Sequence, residues 1–138
     1  MSIERVQDEI VDEFELFDDW LDKYQYIIDL GKKLEPLRPE EMRDDVLLEG
    51  CQSRVWLHVE GDAERLEFRA NSDAAIVSGL IYLMMRVYSG HRASEILATE
   101  PRFIRELGLS EHLSSTRANG LNAMLNAIRH YARQAIEE

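Results

Sequence analysis

The sequence predicts an α+β fold, in which helices pack on one face of a small antiparallel sheet of about three strands. Apolar residues recur at three- and four-residue steps in the first third of the chain and again after residue 72, which is the period of amphipathic helices. Residues 54–70 instead alternate apolar and polar side chains, as half-buried strands do. Because the two alternating runs are separated by a hairpin-length gap, we expect the strands to be antiparallel. The chain has 138 residues, enough for one core, so we expect one domain over residues 1–138.

Two helices are predicted before residue 32. The first carries an apolar stripe, and the second follows Asp18 and Asp19, either of which can cap a helix N-terminus. Gly31 is a typical stop for the second helix. Two prolines between residues 34 and 43 favour a loop with one helical turn. The predicted stripe of the first helix consists of Ile3, Val6, Ile10 and Phe14.

The strands are predicted at residues 54–60 and 65–70, with a possible edge strand at 46–48. Alternation assigns Val55, Leu57 and Val59 to the buried face. It assigns Trp56 and His58 to the polar face.

Helices return after the sheet. Ser72 is expected to cap a central buried helix that starts at Asp73 and ends at Ser89-Gly90. Short helices are predicted at 93–97 and 101–107. A long final helix should follow a cap at one of three consecutive hydroxyl residues, Ser114, Ser115 and Thr116.

The charge balance narrows the class of partner. Sixteen Lys and Arg against twenty-seven Asp and Glu give a net charge of −11, which repels nucleic acid and anionic membranes. It favours a partner with a basic surface, although solubility alone would also explain it. No apolar run reaches the roughly 18–20 residues that span a membrane. The acidic N-terminus lacks targeting features and the chain has one cysteine, so we expect a cytoplasmic protein.

Cys51 is the only cysteine, which limits the inorganic chemistry. Structural zinc sites and iron–sulfur clusters normally take three or four thiolate or imidazole ligands. The four histidines show no ligand-like spacing, so we expect no bound metal and no cofactor. They are His58, His91, His112 and His130.

Cys51 is also the best candidate nucleophile. It lies between a predicted loop and a predicted strand, beside Gly50, and a nearby Arg54 could lower the thiol pKa. Two interpretations are open for Cys51 on these residues alone: a small buried side chain, or a reactive thiol that a partner can reach. Two classes of function are also open: a hydrolase in which His58 or His112 activates Cys51, and an interaction domain whose cysteine is incidental.

Two charged residues lie near predicted helix starts, and the helix dipole favours one of them and disfavours the other. Asp73 suits a helix start because the helix dipole favours an acid there. Arg117 does not suit the start of the last helix, which indicates a separate reason for its presence. His112 can act with Cys51 only if the fold brings the two together.

Several stretches resemble the SufE family of cysteine desulfuration proteins. The cysteine motif is the most specific of them, and the others extend the resemblance over nearly the whole chain. The matching residues are Gly50-Cys51-Gln52-Ser53-x-Val55-Trp56, Ser72-Asp73-Ala74-Ala75-Ile76-Val77-x-Gly79-Leu80, His112-Leu113-x-x-x-Arg117-x-x-Gly120-Leu121 and Tyr26-Ile27-Ile28-Asp29-Leu30-Gly31.

The resemblance implies a sulfur carrier rather than an enzyme. A SufE-like protein docks on a pyridoxal-phosphate cysteine desulfurase of the SufS type, receives sulfane sulfur, and delivers it to an iron–sulfur scaffold of the SufBCD kind. Cys51 matches the acceptor cysteine. The implied fold is similar to that of IscU scaffolds, and the chain is expected to be a monomer or homodimer. Gln52-Ser53 fits the SufE branch better than the paralogous CsdE branch. The motifs imply supporting roles for Gly50, Gln52, Ser53, Asp73, His112 and Arg117.

Overall fold

The computed structural model describes residues 2–48 and 54–137. Met1, residues 49–53 and Glu138 lie outside the described residues, as do the side chains of Ser110, Ser115 and Thr116.

The first two helices form where their periodicity predicts them. Helix α1 spans Ile3–Phe14 and helix α2 spans Trp20–Gly31. Asp19 caps α2, because its Oδ1 accepts a hydrogen bond of 2.9 Å from the Asp22 N–H. The predicted apolar stripe of α1 is buried in the core and consists of Ile3, Val6, Ile10 and Phe14.

The sheet consists of two antiparallel strands in the described part of the chain. Strand β1 spans Val55–Asp62 and strand β2 spans Arg65–Ser72, joined by a two-residue turn. The predicted third strand is wrong as a full element, because Leu47 forms only an isolated bridge with Trp56. A 3₁₀ turn spans Asp44–Val46, and the N–H groups of Val46 and Leu47 donate to carbonyls three residues earlier in the chain. Pairing with β1 therefore begins at Leu47, one residue later than a strand at 46–48 requires.

The two faces of the sheet are covered by different parts of the chain. Helix α3, Ala75–Tyr88, packs against β2 on the inner face. Part of segment 35–48 is tied to the other face by an ion pair from Glu41 to Arg69. Trp56, whose backbone bridges to Leu47 of this segment, is only 8% exposed, and the expectation that it would lie on an open polar face is wrong. Buried residues on the inner face are Val55, Leu57, Leu66, Phe68 and Ala70.

Helices α2 and α3 cross at two glycines. A Cβ atom on Gly79 would lie 1.9 Å from the Ile27 carbonyl oxygen, and one on Gly31 would lie 2.7 Å from the Gly79 nitrogen. Only glycine allows the two helices to approach this closely. The crossing holds the end of α2 against the beginning of α3.

Four helices complete the chain. They are α4, Ala93–Ala98; α5, Arg102–Glu106; α6, Leu109–His112; and α7, Ser115–Glu137. Sequence periodicity did not predict α6, which is too short to show a helical repeat. Ser114 caps α7 through its Oγ, which accepts from the Arg117 N–H at 3.3 Å. Within residues 2–48 and 54–137, no helix is both long and apolar enough to cross a membrane.

Candidate functional site

The two ends of the Cys51 segment meet at the outer edge of β1. The Leu48 N–H donates a hydrogen bond of 2.9 Å to the Val55 carbonyl oxygen, and Leu47 bridges to Trp56. The described residues on the two sides of Cys51 are therefore held together by backbone contacts. The predictions for Gly50, Cys51, Gln52 and Ser53 fall outside the described residues.

Asp73 fixes the end of this segment. Its Oδ1 accepts a hydrogen bond of 3.1 Å from the Arg54 N–H, which links the residue before β1 to the connection between β2 and α3. The prediction that Ser72 would cap a helix starting at Asp73 is wrong: α3 begins at Ala75, and Ser72 Oγ accepts from the Ala74 N–H in the preceding turn at 3.2 Å. The carboxylate of Asp73 is thus used to hold the neighbouring chain rather than to begin a helix.

The chain before the cysteine is also tied to the sheet. Asn71 accepts a hydrogen bond of 2.8 Å from the Leu37 N–H and donates one of 3.1 Å to the Glu35 carbonyl. Asn71 pairs with Trp56 across the sheet. Segment 35–48 is therefore anchored by a side chain of β2 at its beginning and by β1 backbone at its end.

Glu41 provides the central anchor of segment 35–48. Its side chain is only 7% exposed, and its two carboxylate oxygens accept from Arg69 Nη1 at 2.9 Å and Nη2 at 3.1 Å. The N–H of Arg38 donates to the same carboxylate at 3.1 Å. The Arg38 backbone hydrogen bond, followed by the Arg69 guanidinium, lowers the pKa of Glu41 to about 2. The carboxylate therefore stays ionised at neutral pH.

The carboxylate and imidazole groups beside Glu41 resemble a metal-ligand set but are better explained as an ion-pair network. One ligand atom each from Glu41, His58 and Glu60 lies within 4.8 Å of the others. Arg69 Nη1, however, lies 2.9 Å from Glu41 and 3.8 Å from Glu60. A guanidinium thus already supplies positive charge to both carboxylates, which disfavours a further cation.

His112 contacts the beginning of α2. Its ring stacks on Trp20 at 3.9 Å between centroids, with 15° between the ring planes. Its Nδ1 lies 3.0 Å from the Gly108 carbonyl, and its own carbonyl accepts from the Tyr24 hydroxyl. These contacts connect His112 to one end of α2, whereas the other end, at Gly31, lies against the first turn of α3.

Arg117 has a capping contact through its backbone and an exposed side chain. Three of the predicted supporting residues lie in the described part of the chain: Asp73, His112 and Arg117. Among these three, only Asp73 has a described contact with a residue that flanks the cysteine segment. Sequence reasoning missed Glu41 and Asn71 as anchors, because their partners lie 28 to 36 residues away and no local pattern marks them.

Comparison with known proteins identifies the family. The family model described as "SufE: Fe-S metabolism associated domain" matches residues 8–132. The chain belongs to the SufE family. This SufE chain is 44% identical over 131 residues to an uncharacterised SufE-like protein of Rhizobium etli, covering 91% of this chain and 88% of the relative. It is 47% identical over 131 residues to one of Rhizobium meliloti, covering 91% and 93%.

A solved structure resembles the fold of this SufE chain. The solution structure of a hypothetical protein from Thermus thermophilus superposes with a TM-score of 0.77, at 20% identity, over 96% of this chain and 97% of that one. The likeness confirms the α+β class. Family membership associates the SufE chain with iron–sulfur metabolism, and the cysteine motif lies inside the matched range.

Proposed function

We propose that this protein accepts sulfane sulfur from a cysteine desulfurase of the SufS type onto Cys51 and passes it to an iron–sulfur assembly scaffold. The observation that carries the proposal is the position of the only cysteine in a SufE-family chain. It lies in a five-residue segment whose flanks are held by Leu48–Val55 and Arg54–Asp73 contacts. Such a segment can be presented to a partner without disturbing the core.

The transfer needs no external oxidant or reductant. The Cys51 thiolate attacks the outer sulfur of the donor's cysteine persulfide, and the sulfur–sulfur bond of the donor breaks. The electron pair of that bond leaves with the donor's cysteine as a thiolate. Cys51 then carries a persulfide anion, and the acceptor repeats the same step on it. The protein is a co-substrate of the desulfurase in this scheme rather than an enzyme.

A single cysteine suits a carrier. A second thiol in reach could attack the persulfide, form an internal disulfide and release the sulfur. A sulfur in transit also has to be shielded from water and reductant, yet exposed for each transfer. We expect the segment to have a sheltered and an open arrangement, with Gly50 as a hinge and the donor favouring the open one.

A Cys–His hydrolase receives less support from the described contacts. His58 lies near Glu41, with 3.9 Å between Nε2 and Oε2, and His112 is stacked on Trp20. Each ring thus has neighbours that account for its place without a catalytic role. A plain interaction domain would leave the cysteine motif without explanation.

The proposal is tested with Cys51→Ser, which removes the only thiol and nearly preserves its volume. Wild-type protein should stimulate cysteine turnover by the desulfurase, and the serine variant should fold normally and give no stimulation. The assay is release of alanine from cysteine, and of sulfide when an added thiol reductant cleaves the persulfide, at increasing carrier concentrations, with circular dichroism as the check on folding. Stimulation by the serine variant equal to that by wild type would refute persulfide formation on Cys51.

A further inference from the structure

The corner between α1 and α2 exposes two large apolar side chains. Leu16 is 80% exposed and Leu21 is 78% exposed, and both exceed the 50% of Ile136, the third large apolar residue that the described chain exposes. Scattered single apolar residues need no explanation on a surface. Leu16 and Leu21 lie within six positions of each other, in and beside the connection between α1 and α2.

Four carboxylates that form no ion pair within the described ranges lie in the same stretch of the chain. Glu15, Asp18, Asp19 and Asp22 are all exposed. The ion pairs formed within the described ranges use other acids. We call the two leucines and these four acids the acidic corner.

The packing of the neighbouring aromatic side chain explains why Leu21 faces outward. Trp20 stacks on His112 and lies 5.0 Å from the Lys23 ammonium, so its ring is engaged toward α6. His112, a residue of the C-terminal motif, thereby supports the acidic corner.

Helix α2 links the acidic corner to the helix that follows Asp73. Helix α2 has 12 residues, which corresponds to about 18 Å. Its far end, at Gly31, lies against Ser78 and Gly79 of α3, which are five and six residues beyond Asp73. A protein interface takes about 20–30 residues a side, so a five-residue cysteine segment cannot form one alone. One large partner can cover both the segment and the corner.

We propose that the acidic corner docks on the sulfur donor, in an apolar pocket of the desulfurase rimmed by lysine and arginine. This inference rests on the proposed function. Charge complementarity is the argument for this occupant: four carboxylates without an ion pair, in the same short stretch as two exposed leucines, would match a basic rim around an apolar pocket. A second copy of this chain would bring the same carboxylates together and is disfavoured for that reason.

The experiment measures binding of Cys51→Ser chains to the purified desulfurase by isothermal titration calorimetry, so that no sulfur chemistry is needed. Adding Leu16→Ser and Leu21→Ser should raise the dissociation constant about tenfold or more, as loss of an apolar anchor does. Ile136→Ser is the matched control, because it removes an exposed apolar side chain from the end of α7, and it should leave the constant unchanged. The double substitution Asp18→Asn and Asp22→Asn should lower the association rate constant relative to the Cys51→Ser parent at low salt. The difference should be smaller at high salt.

The outcomes separate this inference from the proposed function. Equal dissociation constants for the leucine variant and Ile136→Ser overturn the docking surface. Weakened delivery of sulfur to the scaffold, with unchanged binding to the desulfurase, overturns the choice of the donor as occupant. Concentration-dependent self-association that the leucine substitutions abolish would assign the corner to a second copy. If binding to the desulfurase is tight and depends on the acidic corner, but wild-type Cys51 gains no sulfur, the docking surface is supported. That result refutes only the carrier function.

Discussion

Replacing Asp73 with alanine should make Cys51 more reactive while leaving the fold intact. The carboxylate of Asp73 holds the Arg54 N–H at 3.1 Å, three residues beyond the cysteine. Alanine removes this acceptor. If the contact favours the sheltered arrangement of residues 49–53, its loss shifts the equilibrium toward the open one.

The size of the effect follows from the contact. A hydrogen bond to a charged group contributes about 1.5–3 kcal/mol, and an exposed contact such as this one contributes less, on the order of 1 kcal/mol. A shift of about 1 kcal/mol changes the ratio of open to sheltered forms about fivefold. Because a bulky reagent reacts only with the open form, the labelling rate should rise by the same factor.

The assay is the rate at which a bulky maleimide alkylates Cys51 in the folded protein. Asp62→Ala is a matched control: Asp62 Oδ1 also accepts from backbone N–H groups, of Glu64 at 3.0 Å and Arg65 at 3.3 Å, but in the hairpin turn. The control should label at the wild-type rate. Equal rates for wild type, Asp73→Ala and Asp62→Ala would show that Asp73 does not restrain the segment. A wild-type rate equal to that of a model peptide would show that the cysteine is not sheltered.

Two further predictions concern the anchors around the site. Glu41→Gln should lower the urea midpoint at pH 7, because the pKa of Glu41 is about 2 in the folded protein and 4.5 ordinarily. The ionised carboxylate therefore stabilises the fold above about pH 4.5, and this contribution is lost as the pH falls toward 2. A difference in urea midpoint between wild type and Glu41→Gln that is the same at pH 7 and pH 2.5 would contradict this. Gly79→Ala should destabilise the fold by about 1–3 kcal/mol or more, since its Cβ would lie 1.9 Å from the Ile27 oxygen. Urea unfolding measures it, and an unchanged midpoint would refute the close crossing of α2 and α3.

Local patterns were sufficient to predict most of the helices and both strands. The apolar stripe from Ile3 to Phe14 and the cap at Asp19 are properties of neighbouring residues, so the sequence displays them directly. Helix α6 escaped prediction because its four residues cannot show a period. The edge strand at 46–48 was overestimated, since a 3₁₀ turn uses the backbone that a strand would need.

Contacts between distant residues were not predictable in this way. Trp56 alternates as an exposed residue, yet its side chain is buried and its backbone bridges to Leu47, in a segment that shows no strand periodicity. The pairing of Glu41 with Arg69 and the use of Asp73 to hold Arg54 span 28 and 19 residues. The sequence motif identified Asp73 as relevant, and the structure supplies a physical reason for it.

The most direct measurement of the central claim is the mass of the peptide that contains Cys51 after the protein has been mixed with the desulfurase and cysteine. The account predicts a gain of one sulfur atom on that peptide, which a thiol reductant removes and which the Cys51→Ser chain does not acquire. An unmodified Cys51 under conditions in which the desulfurase itself carries persulfide would contradict the account.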